Sequence, residues 1–174
     1  MLFRSGDMFF FCSPCTGGSV WQRLNLSNAL QDGRTATVVK LVGHWDLHWR
    51  LWANFERVAL HCKRVGAACV LEWPAYCEYW EEPAVISFLE RLGFVFSRFD
   101  GCMYGLTTRF QVGKQTPIRK PWMIACLNTC LPEFLNLTCD GSHSHAACQG
   151  QETLLTQGHT PSICKAVQIG RAHV

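Results

Sequence analysis

Between Arg34 and Val65 apolar side chains recur at helical spacing without a break. Val38, Leu41, Val42, Trp45, Trp49, Trp52, Phe55, Ala59 and Cys62 share one stripe, which predicts a long helix whose tryptophans belong to a core. Gly66 follows where a left-handed C-terminal cap belongs. On either side of this helix lies a short apolar run. Met8 to Ser13 leads into Pro14-Cys15 and the glycine-containing loop Thr16-Gly17-Gly18-Ser19, whereas Ala67-Ala68-Cys69-Val70-Leu71 ends in Glu72-Trp73-Pro74. A strand, a long helix and a second strand make a crossover between parallel strands. The pattern then continues with a helix from about Pro83 to Gly93, an alternating strand over Phe94 to Phe99, and a fourth strand over Trp122 to Leu127. The fold class expected is α/β with a partly parallel sheet.

Composition narrows the function classes. A chain of 174 residues that is 48% apolar and 17% charged suits one domain with a real core, not a disordered segment. A net charge of +3 is too small to argue for nucleic acid by itself. No apolar run approaches the roughly 18 residues of a membrane span, so no membrane contact is expected. The opening Met1-Leu2-Phe3-Arg4, with Phe9-Phe10-Phe11-Cys12 behind it, looks superficially like a signal peptide, but it is short and Asp7 interrupts it. The chain therefore reads as non-secreted and intracellular. In that setting its 11 cysteines are core thiols, metal ligands or a nucleophile before they are disulfides. Cys62, Cys69 and Cys77 sit in apolar segments and are expected in the core.

Ligands of open α/β sheets bind outside the carboxyl ends of the strands. Two polar groups fall there: Cys15 after the first strand and Glu72 after the second. A thiol and a carboxyl delivered to one edge could act together, although a lone Glu in that position is more often a loop residue or helix cap. The order of parts adds to this. Ser13-Pro14-Cys15-x3-Ser19, Val70-Leu71-Glu72-Trp73-Pro74 and Leu92-Gly93-Phe94 follow one another as do Pro-Cys, Glu-Asn-Val and Leu-Gly-Tyr in DNA cytosine-5 methyltransferases, and the chain resembles the middle of that family over about residues 8–127. Tyr104-Gly105-Leu106 and the strand after Arg119 are similar to the family's later segments. A closer likeness is to methyltransferase-like reading frames in transposon- and retroelement-derived sequences of protists. These share Pro14 to Ser19, Glu72 to Cys77, Phe99 to Leu106, Lys120 to Trp122 and Cys139 to His145.

The resemblance implies a partial Rossmann-like, methyltransferase-type three-layer sheet that is incomplete on its N-terminal side. It also implies three catalytic residues. Cys15 would attack carbon 6 of a flipped-out cytosine, Glu72 would hydrogen-bond or protonate ring nitrogen 3, and Arg119 would contact the base. DNA is the implied partner, the nucleus the implied location, and S-adenosylmethionine the cofactor of an intact parent protein. The family's glycine-rich cofactor loop precedes the Pro-Cys strand, and only seven residues precede it here. The expectation is thus a fragment, inactive as written, with Met8 to Ser13 left as a bare sheet edge. A different class of function is a non-catalytic binding or interaction module. In that reading Trp73, Tyr76, Tyr79 and Trp80 stack on bases while Lys114, Arg119 and Lys120 meet phosphates, although an aromatic cluster of this kind is more often packing.

Near the C-terminus, Cys139-x3-His143-x-His145-x2-Cys148 places four zinc-type ligands within ten residues. Cys126 and Cys130 could complete such a site from a neighbouring segment. The plain alternative is a polar loop with one or two buried thiols. The last six residues, Ile169-Gly170-Arg171-Ala172-His173-Val174, back-translate as ATC GGA AGA GCA CAC GTC, one frame of a common sequencing adapter. The expected organisation is a methyltransferase-like domain over 1–128, a Cys/His-containing segment over 129–168, and this terminal stretch over 169–174.

Overall fold

A computed structural model describes residues 3–109 and 115–172. The protein is mixed α/β, built on a single sheet. Strands β1 (Met8–Cys12), β2 (Ala68–Pro74), β3 (Val95–Asp100) and β4 (Pro121–Leu127) lie in the order β1-β2-β4-β3. β1 and β2 are parallel, and β4 runs antiparallel to both β2 and β3. Three strands therefore point one way, with one reversed strand inserted among them.

Alternation along the strands divides the core in two. Cys69, Leu71 and Trp73 of β2, with Ala125 and Leu127 of β4, pack beneath two helices, α2 (Thr35–Val65) and α3 (Pro83–Leu92). From α2 the side chains Trp52, Phe55, Ala59 and Cys62 enter this core, and Val85, Phe88 and Leu89 enter it from α3. Gly66 at φ 72° ends α2, as the sequence predicts, because a left-handed cap is open to glycine without a Cβ penalty. Lys63, in the last turn of α2, donates to the carbonyl of Leu92 at 3.1 Å and so ties the ends of the two helices together.

Val70, Trp122, Ile124 and Cys126 face the other way, onto Tyr104, Leu106, Ile118, Leu131, Leu135 and Ile163. The covering elements are short: α4 (Leu131–Phe134), α5 (Gln151–Leu155) and α6 (Pro161–Ala172). The segment beyond residue 128 thus shares a core with the sheet. Tyr104 anchors it. The phenol donates to the Phe134 carbonyl at 2.9 Å and accepts from the amides of Asn136 and Leu137, while the Tyr104 carbonyl accepts from Thr160 Oγ1 at 2.6 Å. α6 continues through Ile169 and Gly170, so the stretch that reads as adapter sequence is helical as far as Ala172. A Cβ at Gly170 would come 2.9 Å from Leu131 Cδ1.

Two elements depart from the sequence reading. α1 (Trp21–Gln31) has no apolar stripe: only Ala29 is buried, and Trp21, Leu24 and Leu30 are exposed, so periodicity could not reveal it. β3 does not alternate as expected, because Val95 is 60% and Phe96 45% exposed where the edge of the sheet outruns its cover. β1 is an edge strand, as the sequence suggests, with Phe9, Phe10 and Phe11 half-buried.

His48 is the one buried histidine of α2. Its ring stacks on Tyr79 at 3.6 Å and also meets Trp45, Trp49, Trp52 and Trp73. Burial pushes the imidazole from 6.5 down to about 4. Between those values the unfolded chain binds a proton that the folded chain refuses, so stability falls as pH drops through that window, by up to about 3 kcal/mol. Replacing His48 by Phe, which keeps a ring on Tyr79, is expected to flatten this acid limb. Urea midpoints between pH 4 and 7 for both proteins measure it; an unchanged slope would mean another group carries the dependence.

Candidate functional site

Register builds the site. Cys12 of β1 stands opposite Glu72 of β2, which stands opposite Ile124 of β4. Being two positions from Val70, Glu72 points to the face covered by the C-terminal segment, away from α2. Its carboxylate is buried there. Oε2 lies 3.6 Å from His159 Nε2, and Oε1 has no hydrogen-bond partner among the described residues. Cys12 Sγ, a Glu72 oxygen and a His159 ring nitrogen all lie within 4.8 Å of one another.

Cys12 and Glu72 border a cavity of about 360 Å³ at the carboxyl ends of β1 and β2. Cys15, Glu72, Lys120, Trp122 and Gln157 are among its walls. The loop carrying Pro14 and Cys15 is fixed to β2 by a buried hydrogen bond, Trp73 Nε1 donating to Ser13 Oγ at 2.8 Å. Farther along, the Glu78 amide donates to the Gly18 carbonyl at 2.7 Å. Gly17 and Gly18 are there for close approach. A Cβ at Gly17 would clash with the Tyr79 hydroxyl and with His44 Cβ at 2.9 Å, and one at Gly18 would sit 2.6 Å from Cys77 Sγ. These glycines are consumed by packing and form no cradle for a phosphate or nucleoside.

The electrostatics oppose a thiolate at rest. Burial, and then the charge of Glu72, raise the Cys15 thiol above its ordinary value, while Lys120 pulls it back down. Cys12 is exposed as the end of an edge strand, yet its thiol is raised strongly, again by burial first and Glu72 second. Burial lowers the Lys120 ammonium, which donates to the Thr156 carbonyl and lies 5.1 Å from the centre of the Trp122 ring. Lys120 adopts φ 23°, a conformation costing a non-glycine residue about 1–3 kcal/mol.

The sheet thus brings Cys15 and Glu72 to one cavity but leaves Arg119 outside it. The Arg119 guanidinium is held 3.2 Å from buried Asp100, and the cation that faces the cavity is its neighbour Lys120. The chain turns at Lys120, where φ is 23°, and the two neighbouring cations diverge, so a one-residue difference decides which of them enters. The stacking surface also needs correction: Trp73, Tyr79 and Trp80 are core residues and only Tyr76, 62% exposed, could meet a base. Their rings pack on each other and on α2, where burying them is worth more than display. Lys114 lies outside the described residues. Cys12, His159 and Gln157 carried no sequence signal. Cys12 could have been found by aligning the ends of the two parallel strands, whereas His159 and Gln157 arrive through tertiary packing alone.

A second cluster of ligand atoms lies beyond β3. Cys102, Cys139, His143 and His145 each offer an atom within 4.8 Å of the others, an arrangement compatible with zinc. Cys148 is not part of it, contrary to the sequence expectation. Its thiol lies 3.4 Å from Thr156 Oγ1, because the chain turns back toward the sheet after His145. Cys126 is buried in the sheet core and Cys130 faces the Gly170 carbonyl, so neither completes the set.

The opposing influences on Cys15 give a direct test. Removing negative charge with Glu72→Gln is expected to lower the Cys15 pKa and speed its alkylation several-fold near pH 8, and Lys120→Met to slow it. Iodoacetamide rates at the Cys15 peptide, followed by mass spectrometry, give the answer; equal rates in all three proteins would mean that neither charge reaches the thiol. No helix among the described residues is long and apolar enough to cross a membrane. No protein-family model, curated protein or solved structure matches this chain.

Proposed function

We propose that the cleft is a pyrimidine-binding site and that the chain is DNA cytosine-5 methyltransferase-like, with a partial Rossmann-like sheet. One observation carries the reading: the Cys15 thiol, on the loop after β1, and the buried Glu72 carboxyl of β2, one oxygen of which has no partner among the described residues, reach one cavity.

Proton placement supplies the chemistry. Burial first, and then the neighbouring Glu72, keep the proton on Cys15 at rest. Transfer of that proton to Glu72 makes a thiolate and a carboxylic acid together. The thiolate then adds to carbon 6 as the carboxylic acid gives its proton to ring nitrogen 3, and the electron pair of the carbon 5–carbon 6 bond makes carbon 5 nucleophilic. Lys120 stabilises the thiolate before the addition. Carbon 5 takes a proton from water, leaving hydroxide, which then removes the original carbon 5 hydrogen as water. As the proton on ring nitrogen 3 returns to Glu72, the carbon 5–carbon 6 double bond re-forms, the carbon 6–sulfur bond breaks and Cys15 leaves as the thiolate, so the base is restored with its carbon 5 hydrogen exchanged.

S-adenosylmethionine does not fit the residues present. Gly17 and Gly18, the glycine pair beside the cleft, lie against Tyr79, His44 and Cys77, leaving no backbone cradle there. No methyl-transfer step is therefore assigned to this chain. The expected behaviour is exchange without methylation. The 174-residue chain should release tritium from DNA carrying 5-tritiated cytosine with no cofactor added. Cys15→Ser should abolish release, and Glu72→Gln should slow it by about 100-fold or more. Release no faster than that of Cys15→Ser would overturn the reading. Calorimetry with S-adenosylmethionine should show no binding, and a one-to-one isotherm would reveal a cofactor site elsewhere.

A further inference from the structure

We propose that Cys102, Cys139, His143 and His145 bind one zinc ion in a closed, structural site that fastens the C-terminal segment to the sheet. The inference stands apart from the reading of the Glu72 cleft and uses none of its residues.

The ligands come from two places distant in sequence. Cys102 lies in the 3₁₀ turn Gly101–Tyr104 that follows β3, and the other three lie on the loop after α4. Zinc–sulfur and zinc–nitrogen bonds of about 2.3 and 2.0–2.1 Å give tetrahedral edges of about 3.3–3.8 Å. Cys139 Sγ is 3.4 Å from His145 Nε2 and 3.8 Å from His143 Nε2, and all four ligand atoms lie within 4.8 Å of one another. Small side-chain adjustments bring the set to a tetrahedron. Two thiolates and two neutral imidazoles would neutralise the ion, as its half-buried position requires. Softness selects the metal: sulfur with imidazole suits zinc, whereas calcium and magnesium prefer oxygen.

The surroundings support the ligands independently. The Gly141 amide donates to Cys139 Sγ at 3.4 Å, a contact that strengthens when the sulfur is a thiolate. The turn allowing it is closed by the Ser142 amide on Asp140 Oδ1 at 2.9 Å, with Gly141 at φ 82°. Cys139 is positioned from behind: its own amide donates at 2.8 Å to Asp100 Oδ2, the oxygen that also meets Arg119. Asp100 thus orders the loop, and two residues later the chain supplies Cys102. With four protein ligands no coordination position is left open, which marks the site as structural.

Metal analysis of protein expressed with zinc should find one ion per chain. Cobalt substitution should give the absorption of a tetrahedral site with thiolate ligands. Cys102→Ser and His145→Ala should each weaken binding more than the roughly 10–100-fold loss typical of an outer-shell change. Cys148→Ser should bind like the parent. Absence of stoichiometric metal, or loss with Cys148→Ser alongside retention with Cys102→Ser, overturns the proposal. Should the ligand variants fail to fold, the parent chain still decides. Alkylation should spare Cys102 and Cys139 in the zinc-loaded protein and reach both after chelation, while exposed Cys164 reacts in either state. Equal modification of Cys102 and Cys139 with and without zinc also overturns it.

Discussion

The parallel pairing of β1 with β2, in the register that sets Cys12 opposite Glu72, underlies every feature of the cleft. A slip of one residue would turn Glu72 toward α2 and Trp73 toward the C-terminal segment, exchanging a charged group for an indole in each core. The register is held at its end by the Ser13–Trp73 hydrogen bond, which joins the turn after β1 to the last residues of β2. The carboxylate then lies where water is scarce, with one oxygen lacking a partner among the described residues and a thiol raised in pKa beside it. Native proteins rarely leave a buried charge in that condition outside functional sites.

The two faces of the sheet are stabilised differently. Toward α2 and α3 the contacts are aromatic and continuous, with Trp52, Phe55, Trp73, Tyr79 and Phe88 in mutual contact. The opposite face is covered by short helices and loops that could not fold alone, since a helix below about 12–15 residues is marginal in water without packing. Tyr104 and Asp100 do for that side what the long helix does for the other. Tyr104 collects backbone groups of residues 134–137 and the Thr160 hydroxyl, and Asp100 holds Arg119 and the Cys139 amide. Both residues lie in or beside the turn after β3, so one short stretch fixes the position of the covering segment. His159 and the Thr156 carbonyl, which reach Glu72 and Lys120, depend on it.

Much of the sheet and its long helix was legible because those parts obey simple periods. The stripe from Val38 to Cys62 repeats at helical spacing, Gly66 stops it, and the apolar runs at Met8 and Ala68 announce themselves by composition. α1 escaped because its apolar residues face solvent, and the exposed start of β3 because an edge strand need not alternate. At the cleft, Cys15 and Glu72 were legible as the residues that end two strands. Arg119 was a reasonable choice one residue away from Lys120, and a one-residue choice cannot be made where the chain leaves regular structure at φ 23°. At the metal cluster three ligands are local and were read from spacing, but Cys102 was not, because no period links it to Cys139.

The amino-acid sequence by itself determined the strand-helix-strand frame, the cap that ends the long helix, and the delivery of a thiol and a carboxyl to strand ends. Each of these depends on residues a few positions apart, where backbone geometry alone sets what faces what. Only the tertiary structure decided that β4 lies reversed between β2 and β3, that Trp73, Tyr79 and Trp80 are core, that Lys120 enters the cleft while Arg119 pairs with Asp100, and that Cys102 displaces Cys148 from the ligand cluster. Those outcomes depend on residues far apart in the chain, whose meeting is set by the competition among all buried surfaces at once.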